Sequence, residues 1–327
     1  MAIPSSRKKT PLNSEINSLF FSLVDYRNNY FISDETAEII KFYNGFENRD
    51  QLVQWMKERP KGIANIIEVD GDKEVIVVIP TADFNGNYAK NCRENIFKGL
   101  HIIFVESGEV PDPYFNYAHN CNVGIKKAMV YNPNWVVISN DDMQKIDDIR
   151  KLLGKLNRVE NKIGFVAFAD KSFHHTKPEL LVPVNMFVYF YYLKNKSFRI
   201  LNYLIKYFDI KYVVTTDKLV KRVFFKKIAS ILELNDFAIF SADIIEENKF
   251  SIFDEIFINH FEDTDLSLRI SYEKKKTLIT NFKIGSIEGG TFGKDSGRYL
   301  RSIASLAYFT SKYEKCDLLL NSDKLLC

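Results

Sequence analysis

The chain has 327 residues, 46% of them apolar and 27% charged, which builds one large or two ordinary globular domains and excludes a disordered or fibrous chain. A net charge of only +3 excludes whole-molecule steering toward nucleic acid, which is not an expected partner. The four cysteines, Cys92, Cys121, Cys316 and Cys327, form no CxxC pair, and His119 with Cys121 has no second ligand pair. They read as reduced thiols of a cytoplasmic protein rather than a zinc site or a disulfide framework.

The N-terminal "MAIPSSRKKTPLNSEINSLFF" has a basic cluster but no uninterrupted apolar segment before Glu15, so it is a poor signal peptide. The longest uncharged apolar run, 180–193, has 14 residues and contains Pro183 and Asn185, short of the roughly 20 that a membrane span needs. Residues 1–70 read as a separate, mainly helical extension: "NSEINSLFFSLVDY" and "DETAEIIKFY" space apolar residues by three and four, and "ENRDQLVQWMKER" stops before Pro60.

From 71 to 327 a second domain is expected. "EVIVVIPTAD" predicts a buried parallel strand, and "NYAKNCRENIFKG" a helix capped by Gly99. "LHIIFVESG" predicts a second strand, "NYAHNCNVGIKKAMVYN" a second helix and "WVVISNDD" a third strand. "MQKIDDIRKLLGKL" predicts a helix with Ile146, Ile149, Leu153 and Leu156 on one stripe, and "IGFVAFAD" a fourth strand. This alternation implies a mostly parallel sheet flanked by helices. Thr81, Glu106, Asn140 and Asp142 then fall at strand C-terminal ends, where open parallel sheets bind ligands.

The rhythm breaks over about 171–235, read as an inserted segment. From Lys194 to Lys227 it holds ten Lys or Arg against two Asp, interleaved with aromatics. A solvated helical insertion and a surface that touches anionic lipid both account for this composition. The adjacent His174 and His175 are poorly placed to chelate one ion and read as loop. Trp135 reads as core or rim.

Two acidic strings carry the candidate chemistry. "VVISNDDM" ends a buried strand in Asn140, Asp141 and Asp142; it suits either an Asn/Asp turn or a Mg²⁺-type site built from carboxylates and substrate phosphates. "FEDTDLSLR" puts Glu262, Asp263 and Asp265 within four positions. If a helix begins there, Asp265 pairs with Arg269 one turn on, and the helix dipole keeps Glu262 and Asp263 ionised. An ionised carboxylate there is either surface dressing or an acceptor for a hydroxyl proton.

"FSIFDEIFINHFEDTDLSLRI" resembles the FDE…F…EDxDLxxR segment of family 2 glycosyltransferases of the GT-A fold, in their rhamnosyltransferase-like branch. "VIVVIPT", "IIFVESG", "NVGIKKA", "VVISNDD" and "GSIEGGTFGKDSGRYLRSIASLAYFTSKYE" resemble the other pieces of that family, in its order. The resemblance covers about 74–170 and 236–314, with no counterpart for the insert. It implies a Rossmann-like core that binds a nucleotide sugar. Thr81 and Glu106 hold the nucleoside. Asn140 stands at the first acid of the DxD motif, leaving Asp142, with Asp141, to bind a Mg²⁺ or Mn²⁺ bridging the diphosphate. Asp263 is the general base, Glu262 a second base or an acceptor anchor, and Arg301 a partner of the diphosphate or of an acid. Where the family often has a His, before the loop containing Thr291, this chain has Ser286.

The function so implied is an inverting, metal-dependent glycosyltransferase acting on a glycan or lipid-linked acceptor, peripheral at the inner face of the cell membrane if the basic insert touches anionic lipid. Two alternatives stand beside it. A degenerate domain that binds nucleotide sugar as a scaffold fits Asn140 and Ser286. A nucleotidyltransferase requires a glycine-rich basic loop after the first strand, which "PTADFNGNYAKN" lacks.

Overall fold

The computed structural model describes residues 27–108, 112–159, 166–170, 173–176, 179–182, 221–224, 231–234, 237–258, 260–272, 277–287 and 296–313. The helix predicted over 13–26, much of the insert, and the loop with Gly289, Gly290, Thr291 and Gly293 lie outside these. A helical stretch over 27–32 leads to α1 (Thr36–Asn44) and α2 (Arg49–Glu58), the latter capped by the Asn48 side chain on Gln51 N–H. Then come β1 (Asn65–Val69), β2 (Asp72–Thr81) and α3 (Asn87–Asn91), which runs on as a π-turn over Cys92–Ile96. Next are β3 (Leu100–Glu106), α4 (Tyr117–Met129), β4 (Trp135–Ser139), β5 (Met143–Ile146) and α5 (Ile149–Leu156). Seven strands and three helices complete the description: β6 (Val166–Asp170), β7 (Phe173–Thr176), β8 (Glu179–Val182), β9 (Lys221–Phe224), β10 (Ile231–Leu234), β11 (Phe237–Ser241), α6 (Ala242–Glu247), α7 (Glu262–Tyr272), β12 (Thr277–Ser286) and α8 (Ser296–Tyr313).

The fold is mixed α/β, with a mostly parallel central sheet flanked by helices. Among the described residues this sheet has eight strands in the order β1-β3-β2-β4-β11-β6-β12-β5. Five point one way, while β1, β11 and β5 run against them. The alternation over 74–170 could not reveal the reversed β11, because that strand comes after the insert and slots between β4 and β6.

Val75 to Ile79 are all fully buried, and the pleat splits them between two layers. Ile76 and Val78 join Ile103, Val105 and Ile138 under α4; Val75, Val77 and Ile79 join Phe104, Trp135, Cys92 and Leu152 on the other face. Gly124 lets α4 lie this close, since a Cβ there would overlap the Val78 and Val105 side chains. Gly99 adopts φ +94° after the π-turn, as a cap should.

Three expectations are corrected. Ile146 belongs to β5 rather than to the helix; Asp148 caps α5, whose buried residues are Leu152 and Leu156. The described pieces of the insert, β7 to β10, are strands in two two-stranded sheets, not helix, and His174 and His175 lie in β7 rather than in a loop. Their apolar residues are mostly β-branched, aromatic or leucine, which suit a pleated surface. Finally, the described part of 1–70 is not separate. β1 adds an edge to the main sheet. The Tyr43 hydroxyl donates to Leu300 O at 2.5 Å and accepts Ala304 N–H at 3.1 Å, entering the backbone ladder of α8. The buried Arg59 guanidinium donates to the carbonyls of Pro113, Tyr114 and Phe115.

Among the described residues no helix is long and apolar enough to cross a membrane.

Candidate functional site

β2 is flanked by β3 and β4, reached by crossovers on opposite faces: α3 with its π-turn on one, α4 on the other. The strand order therefore reverses beside β2, and the crevice at which open α/β sheets bind ligands falls at the C-terminal ends of β2 and β4. β4 pairs with β2 only as far as Val78↔Ile138, whereas β3 follows β2 to Thr81↔Glu106. Pro80, lacking an N–H, falls just past the end of the β4 ladder, where no hydrogen bond is forfeited on that side.

The predicted donor-site residues converge at this crevice. The Thr81 hydroxyl donates to Asp141 Oδ2 at 2.7 Å, joining positions 60 residues apart. Glu106 Oε1 accepts Phe84 N–H at 2.8 Å, which anchors the loop after β2, and Arg93 holds the Phe84 carbonyl at 2.5 Å from the other side. Asn140 Oδ1 accepts the Tyr117 hydroxyl at 3.0 Å, and the Asp141 carbonyl accepts Cys92 Sγ–H at 3.2 Å. The Asp142 carbonyl accepts Ile287 N–H at 3.1 Å, and Ser286 pairs with Met143. The chain thus enters the 288–295 stretch beside the acidic cluster.

Asp141 and Asp142 are both buried. Burial first, and then the charges of these two carboxylates, push the Cys92 thiol up to about 12. Two carboxylates at the end of a buried strand are hard oxygen donors that a divalent cation would neutralise. They fit a site completed by substrate oxygens rather than a closed protein cage: no group of three or more His, Cys, Asp or Glu side chains able to hold a metal occurs among the described residues.

The second acidic string starts α7, as predicted, but its three carboxylates sit in different environments. His260 and Phe261 precede it with φ of +67° and +68°, left-handed conformations that non-glycine residues adopt at a cost. The Phe261 ring, 5.6 Å from that of Phe309, helps to hold the turn. Glu262 is 8% exposed, and its Oε2 has no hydrogen-bond partner among the described residues. Burial, followed by the charges of Asp263 and Asp265, raises its carboxyl to about 8. The expectation that the helix dipole keeps Glu262 ionised is therefore overturned: desolvation exceeds the dipole's effect. Asp263 is half-buried, and its Oδ1 accepts Thr264 N–H at 2.7 Å.

Asp265 does pair with Arg269, Nε to Oδ2 at 3.0 Å, but as a fully buried hub rather than a surface pair. Its Oδ1 receives the Tyr313 hydroxyl at 2.7 Å and lies 2.6 Å from Lys312 Nζ. Arg301 lies on α8, facing the N-terminal segment. It meets Asp34 at 3.5 Å and donates to Ser33 O at 2.9 Å, tying α8 to the N-terminal segment.

α4 connects the two acidic groups. Tyr117 in its first turn reaches Asn140, and Cys121, one turn on, is fully buried with its thiol pushed up by burial and by the Glu262 charge. Asn122 carries the motif that follows. Its amide donates to Phe253 O and Glu255 Oε1, both at 2.9 Å, and its Oδ1 accepts Phe253 N–H at 3.1 Å. "NVG" and "FDE" thus lock together. His119, set aside as a zinc ligand, instead meets Glu255 Oε2 at 2.9 Å. Sequence reading assigned no role to Tyr117, Asn122 or Glu255. The signal was that Asn122 and Glu255 stand in two of the strings that resemble the family, "NVGIKKA" and "FDE".

The chain matches no protein-family profile, no curated protein and no solved structure at a significant level.

Proposed function

We propose that the chain is an inverting, metal-dependent glycosyltransferase that moves a sugar from a nucleotide-sugar donor to a hydroxyl of a glycan or lipid-linked acceptor. The observation that carries this reading is the 2.7 Å bond from Thr81 to Asp141. It brings the strand-end polar group and the acidic motif to one crevice, at the place where open α/β sheets bind nucleotides.

In this reading Thr81 and Glu106 shape the nucleoside end, and Asn140, held by Tyr117, borders the diphosphate. Asp142, with Asp141, holds the Mg²⁺ or Mn²⁺, which supplies charge neutralisation to the departing diphosphate. The acceptor oxygen forms a bond to the anomeric carbon as the bond from that carbon to the diphosphate oxygen breaks. The electron pair leaves with the diphosphate. The hydroxyl proton passes to Asp263, the more exposed carboxylate of the pair. Glu262, holding its proton near neutral pH, is a hydrogen-bond donor beside it rather than a competing base.

Asn140 at the first acid of the motif, and Ser286 where a His is often found, favour a second reading, a nucleotide-sugar-binding scaffold without turnover. A panel of nucleotide sugars with Mg²⁺ or Mn²⁺ separates the two. Release of nucleotide diphosphate from one donor, abolished by chelation and by Asp142→Ala, supports the enzyme. Binding without release, in the presence of candidate acceptors, supports the scaffold.

A further inference from the structure

An open, shallow depression, or cleft, of about 580 Å³ lies between Lys57 near the end of α2, the 251–256 segment, and the last turns of α7 and α8. Its size suits a small ligand. It is separate from the crevice at β2 and β4, and neither Thr81 nor Asp142 lines it.

Four cations line the cleft, Lys57, Lys61, Arg269 and Lys312, with the acids Asp254 and Glu255. Both acids are engaged. Asp254 Oδ2 accepts Lys312 and the Tyr308 hydroxyl, each at 2.8 Å, while Glu255 accepts His119 and Asn122. Asp265, behind the wall, balances Arg269 and Lys312.

Lys57 and Lys61 have no such balance. Neither forms an ion pair among the described residues; Lys57 is exposed, and Lys61 donates to the backbone carbonyl of Glu255. Burial, reinforced by the neighbouring Arg59 charge, lowers the Lys61 ammonium below its ordinary range despite Glu255 and Asp254. A partly desolvated ammonium whose neighbouring carboxylates are already engaged by other partners is under-compensated, and a bound anion relieves it. Several donors converging from different elements suit a tetrahedral, multiply charged oxyanion better than a single carboxylate.

We propose that this cleft binds a phosphate-type oxyanion, with Lys57 and Lys61 as its principal contacts and Arg269 and Lys312 completing the wall. The site is independent of the proposed transferase chemistry.

The test titrates the full chain with inorganic pyrophosphate by calorimetry in EDTA, which silences metal-dependent diphosphate binding at Asp142. A parallel arm measures sedimentation with vesicles containing phosphatidic acid. Saturable binding that weakens at least about ten-fold in Lys57→Glu and in Lys61→Gln, but persists in Asp142→Ala, is expected. Lys57 is exposed, so Lys57→Glu should keep the wild-type melting temperature and read binding alone. Binding confined to the vesicle arm with the same variant pattern assigns the phosphate to a lipid headgroup. No saturable binding in either arm overturns the proposal, as does equal binding by wild type and both lysine variants.

Discussion

The Asp265 carboxylate, wholly buried on α7, accepts the Tyr313 hydroxyl of α8 at 2.7 Å. Burial, and then the Asp265 charge, push the Tyr313 hydroxyl well above its ordinary range, so it remains a donor. With Arg269 and Lys312 on the same carboxylate, Asp265 fastens α7 to α8. Asp263, two residues earlier, is only half-buried. The two acids should therefore separate by experiment. Asp265→Ala should lower unfolding stability by about 3–5 kcal/mol, since it strands buried cations, and Tyr313→Phe by about 1.5–3 kcal/mol. Asp263→Asn should leave the urea midpoint nearly unchanged while cutting transfer at least about 10²-fold. A stability loss in Asp263→Asn equal to that of Asp265→Ala would remove the distinction.

The pairing of Asp265 with Arg269 was legible because i and i+4 positions face each other on any helix. Its burial was not legible: that depends on α8, whose Lys312 and Tyr313 lie nearly 50 residues downstream. The strands β2, β3 and β4 were legible because each is apolar on both faces. β1 was missed because "NIIEV" is short, mostly exposed and follows a helical stretch. Its attachment rests on side chains as well as ladder bonds. His101 meets both Glu68 and Asp70, at 3.0 and 3.3 Å, a contact across strands that no local pattern encodes. Likewise the acids at 140–142 announced a turn or a metal site equally well. Only the packing of Thr81 and Cys92 around Asp141 shows that the motif is buried.

Glu262 sets a pH dependence whose sign is fixed by its environment. Its carboxyl is raised to about 8 in the fold, against an ordinary glutamate value of roughly 4.3 when unfolded. Between those values the folded state keeps a proton that the unfolded state has lost, so stability falls as pH rises. The contribution is fully present below the unfolded value and is lost as pH climbs through the folded one. Glu262→Gln removes the titration. Its stability relative to wild type should therefore improve from pH 5 to pH 8, by on the order of 1–3 kcal/mol, in paired urea curves at the two pH values. A relative stability that stays constant between them would show that Glu262 titrates in the fold as it does in the unfolded chain.

Thr81 and Asp141 provide a test of whether the crevice is pre-formed. Thr81 is 5% exposed and Asp141 7%, so solvent is poorly placed to replace the bond between them. Thr81→Val keeps the shape and removes the donor to a charged acceptor, which should cost about 1.5–3 kcal/mol. Thr81→Ser returns a hydroxyl and should recover most of that loss. The same pair of variants also reads function. If Asp141 and Asp142 hold the cation that accompanies a nucleotide diphosphate, Thr81→Val releases Asp141 from its fixed orientation. Metal-dependent nucleotide diphosphate affinity should then fall while metal-free affinity is unchanged, and Thr81→Ser should restore it. Equal loss with and without metal would assign Thr81 to the nucleoside instead, by direct contact rather than through Asp141.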